Sequence, residues 1–549
     1  MIDFQTKPAN YSHWRIEIDG DVATLIMDVN PEATLVPGYE LKMNSYDLGV
    51  DIELNDALQR IRFEHPEVKT VVMTSGNEKI FCAGANIKML GLSSHAHKVN
   101  FCKFTNETRN SIEDASEVSG LKFIAAVNGT AAGGGYELAL AADEILLIDD
   151  GNSAVSLPEV PLLAVLPGTG GLTRVVDKRK VRRDRADIFC SIEEGARGEK
   201  AVSWRLVDQS IPKSKFADAV HSRAKELASM SQRPGGAGCQ LGALQRTVTE
   251  SAVEYSTVFV AIDHEKRSAT ITIKTNEASI PESADAALAE GDQFWPLRLT
   301  RELDDAILHL RANETLEGNM IFKSDGDLDA VMTADAFLQA HASHWFINEV
   351  IAYWKRVMKR VDVSSRSLFT LVEPGSCFGG FLAELVFAAD RAYMLEGQFE
   401  GDDRPEAQIQ LSAMNFGPLP MSNGITRLET RFLGEPESVT VAQAAIGEHI
   451  AAVRANDLGL VTDALDDIDW EDEVPLVIGL RANYSPDALT GMEANLRFAG
   501  PETMETKIFG RLTAWQNWIF QRPNAVSPEG GALKVYGSGV RPTYDYNRV

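Results

Sequence analysis

Four short segments of this 549-residue chain recur in the same order some 250 positions apart, and this repetition constrains the fold more than any other feature. Glu137-Leu-Ala-Leu-Ala-Ala-Asp143 returns as Glu384-Leu-Val-Phe-Ala-Ala-Asp390, 247 positions on. Glu53-Leu-Asn-Asp-Ala-Leu58 returns as Glu302-Leu-Asp-Asp-Ala-Ile307 at an offset of 249, and Ala23-Thr-Leu-Ile-Met27 as Ala269-Thr-Ile-Thr-Ile273 at 246. Gly171-Leu-Thr-Arg174 returns as Gly424-Ile-Thr-Arg427 at 253. Conserved order at a nearly constant offset reads as a tandem duplication. Length alone allows about two to four domains. The repeat narrows this to two related units and a remainder.

Each half alternates short β-branched runs with longer helical patterns. Val22 to Val29, Val68 to Ser75, Leu121 to Val127 and Glu144 to Asp149 read as strands, and Asp51 to Phe63 and His97 to Ser116 as helices. The second half repeats this with strands at Ala269 to Lys274, Met320 to Ser324, Leu368 to Val372 and Ala392 to Leu395. Such alternation implies βαβ units with right-handed crossovers, hence an α/β fold. Ser229 to Tyr255, with Pro234-Gly-Gly-Ala-Gly238, reads as the connection. Helical patterns around Met504 to Phe520 precede a Gly/Pro-rich tail. The expected domains are therefore 1–255, 256–470 and a C-terminal helical segment, 471–549.

The net charge of −26 repels phosphate backbones and anionic lipid, so neither nucleic acid nor a membrane is an expected partner of the surface at large. Five cysteines without a CxxC pair fit free thiols in a reducing compartment, and the opening MIDFQTKPANYSHW lacks an apolar signal core. The expected location is the cytoplasm.

Two Gly-containing turns carry the chemistry. Phe81-Cys-Ala-Gly-Ala-Asn86 lies between a strand and a helix, and Gly133-Gly-Gly-Tyr-Glu137 opens a helix after the strand ending at Val127. Backbone N–H groups at Ala85 and Gly134 can face one point and stabilise an oxygen that gains negative charge. Gly-rich strand-to-helix turns also serve as packing devices. The Gly133 turn is neither a Walker A loop nor a dinucleotide fingerprint. Glu137 lies in an otherwise apolar helix, and Glu159 in the apolar stretch Ser156-Leu-Pro-Glu-Val-Pro161. Desolvation raises a carboxyl pKa towards neutrality, which suits an acid/base pair. The alternatives are a helix-dipole contact for Glu137 and a loop cap for Glu159.

The motifs FCAGANIKML, AVNGTAAGGGYELALAADE and LPEVPLLAVLPGTGGLTRV resemble the crotonase (enoyl-CoA hydratase/isomerase) superfamily over roughly residues 14–212. The resemblance implies ββα-superhelix units and an acyl-CoA thioester whose oxygen is held by the Ala85 and Gly134 N–H groups. It implies that Glu137 and Glu159 position and activate water. It also makes Ala83, Ile87 and Lys42 candidates for CoA contacts, and puts Cys102 beside the acyl pocket, where a buried core thiol is the alternative. CoA belongs to the substrate, and no separate cofactor or metal is expected.

The chain departs from an ordinary hydratase at Asn86, where the family has Asp, in the long segment Asn30 to Asn44, and in the 22-residue spacing of Glu137 and Glu159. These departures point away from a simple linear enoyl substrate. In the second half, Ala330-Val-Met-Thr-Ala-Asp335 stands opposite the oxyanion loop, Gly380-Phe-Leu opposite Gly133-Gly-Gly, and Ser412 or a neighbour, not a carboxylate, opposite Glu159. The second unit is thus expected to be degenerate, with one active site per chain and a homodimer as the assembly. His95/His97 and His341/His344 lack a third ligand at metal-site spacing. The basic run Lys178 to Arg185 either attracts CoA phosphates or is a solvated helix start. The expected activity is hydrolytic or lyase chemistry on a CoA thioester. The alternatives are an enoyl-CoA hydratase/isomerase and a non-catalytic crotonase-like assembly protein.

Overall fold

In the computed structural model, which describes residues 1–275 and 279–549, the alternating pattern becomes successive β-β-α segments in the first of two units, Ile2–Ala243 and Leu244–Val549. In the first unit, β1 (Trp14–Asp19) and β2 (Val22–Met27) form an antiparallel hairpin. There follow β3 (Ser45–Tyr46), α1 (Leu48–Glu64), β4 (Thr70–Ser75), β5 (Ile80–Cys82), β6 (Gly84–Ala85), α2 (Ile87–Leu92) and α3 (His95–Val118). Next come β7 (Lys122–Val127), β8 (Thr130–Ala132), α4 (Gly134–Ala141), β9 (Glu144–Asp149), β10 (Val155–Ser156) and α5 (Glu159–Leu163). The unit ends with β11 (Gln209–Pro212) and α6 (Lys213–Met230). The main sheet has the order β1-β2-β4-β7-β9-β11, parallel from β2 onward. Strand β1 falls outside the expected strands because most of its residues are exposed, which blurs the alternation.

One face of this sheet packs on α6. Val22, Val72, Ile124, Ala126, Leu146 and Ile148 alternate along their strands, and Phe216, Val220, Ala224 and Leu227 recur at helical spacing against them.

Residues Thr247–Val248 and Ala252–Glu254, within the stretch expected to be the connection, are strands β12 and β13 of the second unit's sheet. That unit continues with β14 (Val258–Asp263), β15 (Ser268–Lys274), α7 (Trp295–Asn313), β16 (Asn319–Asp325), α8 (Leu328–Ala340) and α9 (Trp345–Asp362). Then come β17 (Ser367–Val372), α10 (Glu384–Ala388), β18 (Arg391–Leu395), β19 (Asp463–Leu465), α11 (Asp467–Ala482), α12 (Pro486–Arg497) and α13 (Thr513–Ile519). Its sheet runs β12-β13-β14-β15-β16-β17-β18-β19, an antiparallel meander that turns parallel at β15. The C-terminal part is helical, as expected, and Trp470, Val474 and Ile478 of α11 cover Ile321, Phe369, Leu371 and Leu465 of the sheet. Among the described residues, no helix is long and apolar enough to cross a membrane.

The recurring sequence segments make recurring contacts. Glu53 accepts the backbone N–H groups of Ser12, His13 and Trp14 at 2.7, 2.8 and 3.1 Å, fixing the chain where it enters β1. Glu302 accepts Thr257 N–H and the Ser256 and Thr257 hydroxyls at 2.6 to 2.7 Å, just ahead of β14. Asp143 accepts Phe123 N–H at 2.8 Å at the start of β7, and Asp390 accepts Leu368 N–H at 2.8 Å in β17.

Hydrogen bonds to a charged acceptor stabilise by about 1.5–3 kcal/mol, and stranding three donors adds to the loss. Glu53→Ala is therefore expected to destabilise the first unit by about 2–3 kcal/mol. Denaturant unfolding followed by tryptophan fluorescence measures it; an unchanged midpoint would show that Glu53 does not anchor the hairpin.

Candidate active site

Three strand-to-helix junctions of the first unit meet at one place because β5, β8 and β10 form a small parallel sheet in the order β10-β8-β5. Ser156 pairs with Ala132 and Cys82 with Ala131, so the chain leaves all three strands at the same level. From these exits come the Ala85 turn, the Gly133 turn and Glu159. Each glycine of the middle turn leaves room for a different neighbour. A Cβ on Gly133 would lie 2.7 Å from Glu159 Oε1, on Gly134 1.9 Å from Tyr46 Oη, and on Gly135 2.2 Å from the Cys82 carbonyl. Gly133 also has φ +53°, a conformation that costs glycine little. A Cβ on Gly84 would meet Gly134 N at 2.8 Å, so the Ala85 loop lies directly against the turn.

The first N–H groups of a helix have no partner within it. Here Tyr136 and Glu137 N–H both donate to Gly133 O, at 2.9 and 3.0 Å, and Gly134 N–H lies ahead of them at the positive end of α4. On the facing loop, Asn86 N–H donates to Tyr46 O at 2.9 Å in the β3–β6 ladder, in which Ala85 is the residue opposite Tyr46. In a parallel ladder that residue's own N–H points away from the partner strand. Asn86 caps α2 through Met89 N–H at 2.9 Å, while its amide NH2 donates to Glu40 O at 2.8 Å and Ser45 Oγ at 3.0 Å. An aspartate could not make those two donations, so Asn86 ties the loop to the inserted segment before β3.

The two glutamates have different surroundings. Glu137, buried in the first turn of α4, accepts Gly171 N–H at 2.7 Å, Thr169 N–H at 3.0 Å and the Thr169 hydroxyl. Burial raises its pKa, and these donors and Arg109 oppose the rise. Glu159 is buried with Oε2 lacking a hydrogen-bond partner. Burial first, and then the charge of Glu137, push its pKa up to about 7. One carboxylate is thus held as an acceptor, and the other keeps a proton near neutrality.

The remaining expected residues lie on the elements around these turns. Cys102, on α3, is partly buried, and burial pushes its thiol up to about 11, with Glu137 and Asp51 adding to the rise. Lys42 is exposed and paired with Glu40 at 2.8 Å, Ile87 is exposed at the start of α2, and Ala83 is held by its N–H to Met43 O at 3.2 Å. In the basic run, Lys178 pairs with Glu113 at 2.8 Å, Arg179 with Asp208 at 2.9 Å and Arg182 with Asp184 at 2.5 Å. Three of its six cations are thus paired with acids within the unit. His344 lies 3.5 Å from Asp285, while burial lowers the pKa of His97. Sequence reading missed Tyr46, whose hydroxyl lies against Gly134 although 88 positions separate the two residues.

In the second unit, the turn at Gly380-Phe381-Leu382 is filled by buried side chains. Phe381 stands 247 positions after Gly134, and its N–H donates to the buried carboxylate of Asp335 at 2.7 Å. Its ring meets Trp295 and Trp354 edge-on, at centroid distances of 6.1 and 5.1 Å. Glu384 accepts Asn415 NH2 at 2.9 Å and pairs with Arg427 at 2.9 Å, while Arg427 also binds Asp362 at 2.7 Å. In the first unit the matching Arg174 turns to Glu113 at 2.9 Å and to Thr169 O at 3.2 Å, leaving Glu137 to neutral donors.

A family model for enoyl-CoA hydratase/isomerase matches residues 40–254. Benzoyl-CoA-dihydrodiol lyase of Aromatoleum evansii is 56 % identical over 552 aligned residues, spanning 100 % of this chain and 98 % of that one. Carnitinyl-CoA dehydratase of Escherichia coli O157:H7 is 28 % identical, over 40 % of this chain and 78 % of that one. The solved structure of an enoyl-CoA hydratase from Bacillus anthracis covers 40 % of this chain and 77 % of its own, at 26 % identity and a TM-score of 0.34.

A carboxyl whose pKa rises from 4.5 to about 7 on folding contributes stability that is complete below pH 4.5 and is lost as the pH climbs through 7. Glu159→Gln should therefore raise the melting temperature at pH 8 by more than at pH 5. Equal shifts at both values in calorimetry would show that Glu159 titrates normally.

Proposed function

The chain belongs to the benzoyl-CoA-dihydrodiol lyase family, within the enoyl-CoA hydratase/isomerase superfamily, and from that premise we propose that it opens the ring of 2,3-epoxy-2,3-dihydrobenzoyl-CoA by hydrolysis. The observation that carries this reading is the full-length likeness to the lyase, since the hydratase-type family model stops at residue 254. Two waters are consumed, and the products are 3,4-didehydroadipyl-CoA semialdehyde and formate. Carbon, hydrogen and oxygen balance without an external oxidant or reductant, so the scheme calls for no redox cofactor.

In this reading Ala85 and Gly134 N–H hold the thioester oxygen and draw electron density from the ring. Glu159, protonated near neutrality, gives its proton to the epoxide oxygen as the C–O bond breaks. Glu137 receives a proton from the attacking water; its three donors keep the carboxylate oriented. Cys102, half-buried and neutral, borders the acyl group. Lys42, Ala83 and Ile87 line the approach for CoA, whose phosphates must find local cations on a protein of net charge −26.

The second unit supports this reading as a scaffold. We take it as a duplicated crotonase-like unit, since the recurring glutamate, aspartate and arginine segments make matching contacts in both sheets. Its blocked turn leaves one active site per chain. The domain assignment is a catalytic unit, a degenerate unit and a C-terminal helical segment. We assign a homodimer in the cytoplasm, with the acyl-CoA thioester as the small-molecule partner.

Product analysis with the epoxide thioester tests the reading directly. Formate and the semialdehyde are expected in equal amounts, with crotonyl-CoA left unhydrated; crotonyl-CoA hydration without formate would assign a hydratase instead. Glu137→Gln and Glu159→Gln should each lower kcat by about 10²–10⁴ while benzoyl-CoA still binds in calorimetry. Near-normal turnover in both variants would remove them from the mechanism.

A further inference from the structure

Tyr46 is the one side chain at the oxyanion turn whose polar atom has neither a hydrogen-bond partner nor a part in the scheme above. It is 1 % exposed, and its Oη is buried without a hydrogen-bond partner. Leaving a hydroxyl in that state costs about 1–3 kcal/mol, and the fold has kept it there. Both ends of the residue touch the oxyanion machinery. Its backbone shares a rung of the β3–β6 ladder with Ala85, and its Oη occupies the space of the missing Gly134 side chain, 1.9 Å from where that Cβ would be.

The ring is held so that the hydroxyl cannot swing away. Phe101 packs against it at a centroid distance of 5.8 Å, and the Arg109 guanidinium lies 5.3 Å from its centre. Arg109 is itself fixed by Asp51, which also accepts the Thr105 hydroxyl. Burial keeps the phenol pKa well above 10, with Asp51, Glu137 and Cys82 adding to the rise and Arg109 opposing it. The phenol therefore keeps its proton around neutral pH. In the second unit, Trp295 stands 249 positions after Tyr46 and has no hydroxyl, and the adjacent Phe381 N–H is taken by Asp335.

We propose that Tyr46 is a third donor of the oxyanion site, its O–H joining the Ala85 and Gly134 N–H groups on the thioester oxygen of the bound acyl-CoA. The proposal rests on the acyl-CoA reading of the site. It gives the orphaned hydroxyl its missing acceptor only when substrate is present, and it adds a donor that helps most as negative charge builds on that oxygen.

Benzoyl-CoA labelled with ¹³C at the thioester carbonyl is the probe, and isotope-edited infrared difference spectra are the readout. The wild-type protein should shift the carbonyl stretch to lower frequency. Tyr46→Phe should recover part of that shift, lose about 10²-fold in kcat on the epoxide thioester, and melt at the same or a higher temperature. Glu137→Gln should lose turnover yet keep the full carbonyl shift, which separates polarisation from water activation. An unchanged carbonyl frequency in Tyr46→Phe, with kcat within twofold of wild type, would overturn the assignment. No shift in the wild-type protein would instead overturn the oxyanion reading itself, and this proposal with it. Should Tyr46→Phe fail to fold, 3-fluorotyrosine at position 46 is a stronger donor of nearly the same shape. It should move the carbonyl further down; no movement would again count against the proposal.

Discussion

The site depends on backbone volume at three consecutive positions. Gly133, Gly134 and Gly135 are where the Glu159 carboxylate, the Tyr46 hydroxyl and the Cys82 carbonyl come closest to the chain that opens α4. A methyl group at any of them would overlap a neighbour inside a close-packed interior, where small increases in volume force backbone shifts. The same absence of side chains brings the Ala85 loop against the turn, beside the leading N–H of α4. Packing and electrostatics are therefore one requirement here: the space that admits the Glu159 carboxylate also sets the two turns against each other.

The second unit is built on different contacts around its own Gly380 turn. Glu302 anchors the chain ahead of β14 and Asp390 holds the start of β17, which helps to fix the sheet and its register. At the turn itself Phe381, Trp295 and Trp354 close the space with aromatic rings, and Asp335 accepts the Phe381 N–H. Arg427 neutralises Glu384, so this buried carboxylate serves as one member of an ion-pair network. A buried charge paired in this way is costly to disturb, because removing one partner strands the other.

Local pattern made much of this legible in the sequence. The β-branched runs located the inner strands of both sheets, and the strand–turn–helix grammar located Ala85, Gly134, Glu137 and Glu159 at junctions that the small β5-β8-β10 sheet aligns. What sequence could not show are pairings set by tertiary contact. Tyr46 reaches Gly134 only because β3 pairs with β6, a two-residue ladder with no periodicity to read. Strand β1 is too exposed to alternate clearly, and β12 and β13 lie in a stretch whose Pro and Gly residues suggested only a connection. The basic run suggested either a phosphate site or a solvated helix start, and a helix does begin at Arg183; the acidic partners of Lys178, Arg179 and Arg182 become visible only once the chain is folded.

The Asp335–Phe381 hydrogen bond has a consequence for how the second unit tolerates change. A carboxylate caps a backbone donor, rings fill a cavity and a guanidinium balances two acids, all around one turn. Glycine at position 381 would open a void beneath Trp295 and Trp354 while the backbone donor stayed occupied. Each of these parts is braced by the others, so the turn resists piecemeal remodelling.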